Sequence, residues 1–143
     1  MNKGRSTQHS LSARHVKTAI KNWKPSSRIM KEKNAEQQLT EYLKKSLKNY
    51  ELIKQQYKFN DKLIGDIAII DNKEKIVIEI KHNLNRSREA EKLKNQVIKY
   101  KKEGFSVIVL LIGDQSNSDM INDFPKDVPV FIKKRTMKEI ECV

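Results

Sequence analysis

Cysteine is nearly absent from this chain of 143 residues, its one thiol being Cys142. An internal disulfide and a thiolate zinc site are both excluded, and a reducing, cytoplasmic setting is the expectation. Glycine is scarce as well, with 4 residues in all. The stretch "IGDQSNSD" around Asp114 follows an apolar run as a phosphate-cradling loop would, but it lacks the glycines and the lysine of one. No apolar run approaches membrane-spanning length; the longest, Val107 to Ile112, suits a buried strand. The basic, hydroxyl-rich N-terminus has no apolar segment of the secretory type. His9, His15 and His82 are too scattered for a metal cluster, Asp61, Asp66 and Asp71 fit no calcium loop, and no Ser or Cys sits in a nucleophile elbow.

Acid is scarcest at the start. Residues 1–33 contain nine Lys or Arg against Glu32 alone, a local charge of +8 out of the net +12. Such an excess attracts polyanions, of which nucleic acid is the commonest. Arg5, Arg14, Lys17, Lys21, Lys24 and Arg28 are the candidate phosphate contacts in this arm, taken as residues 1–28. Leu11, Val16, Ala19, Ile20 and Trp23 recur near helical spacing within it, and Pro25 breaks the pattern. The same composition also reads as a solubilising tail, and on either reading the arm can be removed with the fold intact.

From residue 29 the pattern becomes regular. Ile29 to Tyr50 is predicted as an amphipathic helix with Leu39, Leu43 and Leu47 on one stripe, which Glu36 shares. Residues 51–59, 63–70 and 75–81 are predicted strands joined by Asn60-Asp61-Lys62 and Asp71-Asn72-Lys73, an antiparallel meander. A helix over 88–103, capped by Ser87 and closed by Gly104, leads to "FSVIVLLI" at 105–112, apolar on both faces and therefore central. A last strand over 128–133 contains Pro129, an edge feature. The order implies an α/β domain over 29–134, a mixed central sheet of about five strands flanked by helices, with a tail from 135 to 143.

Two acids interrupt the most apolar part of this pattern. Alternation places Val77, Glu79 and Lys81 on one face of the third strand and Ile76, Ile78 and Ile80 on the other. In the second strand Asp66 shares a face with Ile64, Ala68 and Ile70, and a hairpin brings it near Glu79. Gly65 suits a bulge or a close backbone approach there. Paired carboxylates repel unless a cation lies between them, and a hard divalent ion such as Mg²⁺ takes oxygen ligands. A strand-end salt bridge to Lys81 is the alternative for any one of these residues, but three ionisable groups in an apolar hairpin favour a metal site.

"GD" at 65–66 followed by "EIK" at 79–81 resembles the core of the PD-(D/E)XK, or restriction-endonuclease-like, nuclease superfamily, with Gly65 in place of the proline as in its resolvase-like branches. Glu36 resembles the carboxylate that the preceding helix often adds. Gln96 and Tyr100 in "QVIKY" resemble the Q-x-x-x-Y element of some branches, and they also read as a polar helix position and a core tyrosine. The resemblance covers about residues 30–133. It implies Mg²⁺- or Mn²⁺-dependent hydrolysis of phosphodiester bonds in DNA. Asp66, Glu79, Glu36 and the Ile80 carbonyl would hold metal or water, Lys81 would be the catalytic cation, Gln96 would reach toward the site, and His82 and Tyr100 would touch DNA. A structure-selective or sequence-nonspecific endonuclease is implied, on branched or single-stranded DNA among other forms, working as a homodimer or within a larger nuclease complex. A non-catalytic nucleic-acid-binding module or accessory subunit would keep the charge but has no use for the carboxylates with Lys81.

Overall fold

The apolar segments "KIVIEIKH" and "SVIVLLI" occupy the middle of a five-stranded sheet because both of their faces are covered. The computed structural model describes residues 13–25, 31–47, 50, 52–82, 87–113 and 124–133. Helices α1 (residues 13–22) and α2 (Glu32–Ser46) precede strands β1 (Leu52–Asn60), β2 (Leu63–Ile70) and β3 (Lys75–His82). Helix α3 (Ser87–Lys102) then leads to β4 (Ser106–Ile112) and β5 (Val130–Lys133). The strands lie in chain order across the sheet. The first three form an antiparallel meander, and β3, β4 and β5 are mutually parallel. The chain is thus α/β with a mixed sheet, as its pattern predicts. Helix α3 is the crossover that a parallel β3–β4 pair requires.

Each turn has a side-chain reason. Asp71 Oδ1 accepts the N–H groups of Lys73 (2.8 Å) and Glu74 (2.6 Å), and Asn60 Oδ1 accepts that of Lys62 (2.8 Å). Asn34 Oδ1 accepts the Lys31 N–H at the start of α2. Gly104, at φ 87°, ends α3 in the left-handed region.

One face of the sheet packs on α1 and α2. Val16, Ala19, Ile20 and Trp23 meet Ala35, Leu39 and Leu43 over Ile67, Ile69, Ile76, Ile78, Ile80 and Ile108. The other face packs on α3, where Ala90, Leu93, Val97 and Tyr100 lie over Ala68, Val77, Val107, Val109 and Leu111. The helical part of the N-terminal arm is therefore a piece of the core. Val16 and Ile20 are fully buried and Trp23 nearly so, so removal of residues 1–28 with the fold intact is not expected of this structure. The basic side chains Arg14, Lys17, Lys21 and Lys24 remain on the outer side of α1 and its end. Arg5, Arg28, Ile29, Asp114 and the tail 135–143 lie outside the described residues. Pro129 precedes β5, an edge strand, and its carbonyl accepts the Val109 N–H at 2.9 Å. No described helix is long and apolar enough to cross a membrane.

Candidate active site

The middle of β1 and β2 breaks the alternation on which a strand's two faces depend. Ile53 packs with the α1/α2 face, yet Tyr57 and Phe59 pack with the α3 face. Odd-numbered residues of a regular strand stay on one side. The change falls at Gln56, whose φ of 55° is left-handed. β2 changes sides in step. Ile67 and Ile69 face α1 and α2, whereas Leu63 belongs to the α3 side. A Cβ on Gly65 would meet Val77 Cγ2 at 2.5 Å and Phe59 Cε2 at 3.2 Å, both on that side. The ladder runs from Gln55–Ile67 to Tyr57–Gly65 and passes over the Gln56–Asp66 position. The single face expected for Ile64, Asp66, Ala68 and Ile70 is corrected accordingly: Ile64 points to solvent, 42% exposed, because the strand switches sides at Asp66.

β2 and β3 part company at the same point. Their ladder ends at Ile67–Ile78, and the Ile80 N–H donates instead to Asp66 Oδ2 at 2.7 Å. A side chain has replaced a backbone partner, so the two strands form a fork with Asp66 in its crotch. Glu79 sits beside it, only 2% exposed. Tyr100, fully buried on α3, donates its hydroxyl to Glu79 Oε1 (2.8 Å) and lies within hydrogen-bond distance of the Ile64 carbonyl (3.0 Å). Lys81 Nζ stands 3.8 Å from Glu79 Oε2.

The electrostatics of the fork follow from burial. Asp66 is pushed up to about 9, first by desolvation and next by the Glu79 charge; the Ile80 N–H and Lys81 oppose the rise, and Glu36 adds to it. Glu79 rises to about 7, again mainly by desolvation, with the Tyr100 hydroxyl and Lys81 pulling it back and Glu32 adding to the rise. The Tyr100 hydroxyl itself is driven far up by burial and by the Glu79 charge, so it stays a neutral donor. Without a cation the Asp66–Glu79 pair retains a proton at neutral pH.

Glu36 is buried as its place on the Leu39 stripe predicts, but it is already occupied: Oε1 accepts the side-chain amides of Gln56 (2.6 Å) and Gln55 (3.3 Å). Among the described residues no three His, Cys, Asp or Glu side chains are grouped to hold a metal ion. The expected three-carboxylate ligand set of Glu36, Asp66 and Glu79 is thus not assembled, because two glutamine amides hold Glu36. Asp66 and Glu79 with the Ile80 carbonyl still fit a hard divalent ion. Mg²⁺ is commonly held by one or two carboxylates and keeps several waters.

Gln96 lies one helical turn before Tyr100, and its Oε1 is buried with no hydrogen-bond partner among the described residues. The DNA contact expected of Tyr100 is corrected, since its ring is enclosed with Phe59 at 5.3 Å and its hydroxyl is engaged at the fork. His82 is half-buried and its peptide N–H donates to Glu32 Oε1 at 3.3 Å. Glu32, Gln55 and Gln56 are site neighbours that sequence reasoning missed. Glu32 stands four residues before Glu36 and so shares its helix face, a signal that was present. Nothing in the sequence marks the left-handed Gln56.

No family model matches the chain, and no curated protein shows significant sequence similarity to it. Solved structures similar to it include the following two. The small subunit of the heterodimeric restriction endonuclease R.BspD6I is 19% identical, with a TM-score of 0.47, over 76% of this chain and 63% of that one. SfsA of Pyrococcus furiosus, solved with Ca²⁺, is 18% identical, with a TM-score of 0.44, over 71% of this chain and 56% of that one. The chain therefore spans less than two thirds of either structure.

Proposed function

We propose that the chain is a divalent-metal-dependent nuclease that hydrolyses phosphodiester bonds in DNA. The observation that carries this reading is the fork: the buried Glu79 and the half-buried Asp66 held side by side where β2 leaves β3, with Lys81 3.8 Å from Glu79. Burying a pair of like charges is costly unless a cation joins them. Asp66, Glu79 and the Ile80 carbonyl would hold Mg²⁺ or Mn²⁺, which supplies Lewis acidity toward the scissile phosphate and a lowered pKa for the attacking water.

The chain's own residues do the rest. The Ile80 N–H fixes the Asp66 carboxylate, and the Tyr100 hydroxyl fixes that of Glu79. Lys81 places a positive charge where the phosphoryl group gains negative charge in the transition state. Glu36, held by Gln55 and Gln56, adds its negative charge beside Asp66 and so favours a cation there. Gln96 Oε1 offers a further acceptor. The exposed cations of α1 suit phosphates, which carry no base sequence, so cleavage is structure-selective or nonspecific. A second copy, or a larger nuclease complex, would present a second site to the opposite strand. Incubation with labelled linear, branched and single-stranded DNA tests the reading: Mg²⁺ or Mn²⁺ supports cleavage and chelator stops it, whereas no cleavage of any of these substrates with either metal overturns it.

A further inference from the structure

Helices α1 and α2 leave a groove between them. His15, Thr18 and Asn22 follow one another at helical spacing on one side of α1, and Tyr42 and Ser46 do the same on α2. With Tyr50 they line a cleft of about 400 Å³, within the ~300–1,000 Å³ usual for a ligand site. Past Tyr42 the opening continues into a second cleft of about 460 Å³, which shares Asn22 and Tyr42 and adds Trp23, Lys24, Glu41 and Lys45. The two clefts are one groove. It is separate from the fork, since Tyr42 and Ser46 stand roughly 9 and 15 Å along α2 from Glu36 by helix rise.

The lining indicates what the groove takes. Tyr42 and Tyr50 are half-buried, packed against the core and open to the cleft, so their rings are held in place before any ligand arrives. Beside them an imidazole, an amide and two hydroxyls, those of His15, Asn22, Thr18 and Ser46, supply hydrogen-bond donors and acceptors. A planar heterocycle with a hydrogen-bonding edge meets both kinds of group, one by stacking and the other by its edge. Cations flank the same groove. Lys24 and Lys45 outnumber Glu41 in the second cleft, and Arg14, Lys17 and Lys21 are exposed on α1. That charge suits the phosphates that join such heterocycles. In a duplex the bases are already paired and stacked, so only an unpaired strand can place them between two helices.

We propose that the α1–α2 groove binds unpaired nucleobases of a single strand, with Tyr42 as the stacking platform shared by its two clefts. The groove deepens the nuclease reading, on which it rests for the class of its ligand, and it selects DNA that carries a single-stranded portion.

Binding is measured in EDTA, so cleavage plays no part. Trp23, the chain's one tryptophan, lines the groove and reports its occupant by fluorescence. The probes are a thymidine strand of about eight nucleotides, the same strand with abasic sugars, and a duplex. The wild type should bind the thymidine strand roughly tenfold more tightly than the abasic one, and only the former should shift Trp23 emission. Tyr42→Leu keeps an apolar side chain against the core and should lower thymidine-strand affinity to the abasic level, with duplex binding unchanged. Tyr42→Phe, which keeps the ring, retains the affinity. Ser46→Leu fills the cleft from an exposed position and should act as Tyr42→Leu does, which guards against a loss that came only from a loosened core. Equal affinity for the thymidine and abasic strands would overturn the groove. So would thymidine monophosphate or an acidic peptide binding as tightly as the strand, or full strand affinity in Ser46→Leu and Tyr42→Leu. The nuclease reading is judged apart, by cleavage with Mg²⁺, and stands or falls independently of these outcomes.

Discussion

Asp66 is the residue whose surroundings conflict most with its charge. Its carboxyl is raised from 3.8 to about 9, so between these values the folded chain binds a proton that the unfolded chain has released. Stability of the metal-free protein therefore falls as pH rises through that window, and the Glu79 rise from 4.5 to about 7 adds to the fall in its lower half. Asp66→Asn removes the larger part. It should stabilise the metal-free fold at pH 8 by roughly 1–3 kcal/mol and flatten the pH dependence of Tm, measured by thermal unfolding across pH. Added Mn²⁺ should raise the Tm of the wild type and leave that of Asp66→Asn almost unchanged. Tyr100→Phe makes the complementary test. Loss of the hydroxyl removes a bond that lowers Glu79. Stability should drop by about 1–2 kcal/mol, and the acidic limb of the cleavage–pH profile should move to higher pH.

The elements were readable wherever one physical rule governed a whole segment. "IVIEI" and "SVIVLLI" carry no alternation because helices cover both faces, and from that the central strands and the α3 crossover follow. Glu36 was legible because it falls on the leucine stripe of α2. Two features were not. Alternation counts residues, so it cannot see a strand that changes sides, and the change at Gln56 and Asp66 rests on one left-handed residue of a type that carries no such signal. In α1 the cations mask the four apolar residues that bind it to the core, and charge dominated its reading. Gly65 does mark the fork, for a steric reason. Gly65→Ala should cost about 1–3 kcal/mol in chemical denaturation, because its Cβ meets Val77 Cγ2 at 2.5 Å. Val77→Ala in the same chain should return part of that loss, and a purely additive double variant would show that the contact is not the cause.

At the scale of the whole molecule, basic charge and buried acid divide the work. On the proposed reading, excess cations on α1 draw in a polyanion and position it, while the fork holds the buried Glu79 beside the half-buried Asp66 where β2 leaves β3. Because α1 belongs to the core, its cations are fixed relative to the fork. Truncation of residues 1–28 should therefore lower stability as well as DNA affinity, with cooperative unfolding weakened in urea, since Val16, Ile20 and Trp23 leave a gap over α2 and the sheet. The most direct test of the central claim is the cleavage rate of DNA in Mg²⁺ by the wild type, Asp66→Ala, Glu79→Ala and Lys81→Ala, with DNA binding measured on the same samples. The account predicts undetectable cleavage for both carboxylate variants, a rate reduced at least a hundredfold for Lys81→Ala, about 2.7 kcal/mol in the barrier, and DNA binding retained or tightened in Asp66→Ala. Full cleavage by Asp66→Ala would contradict it.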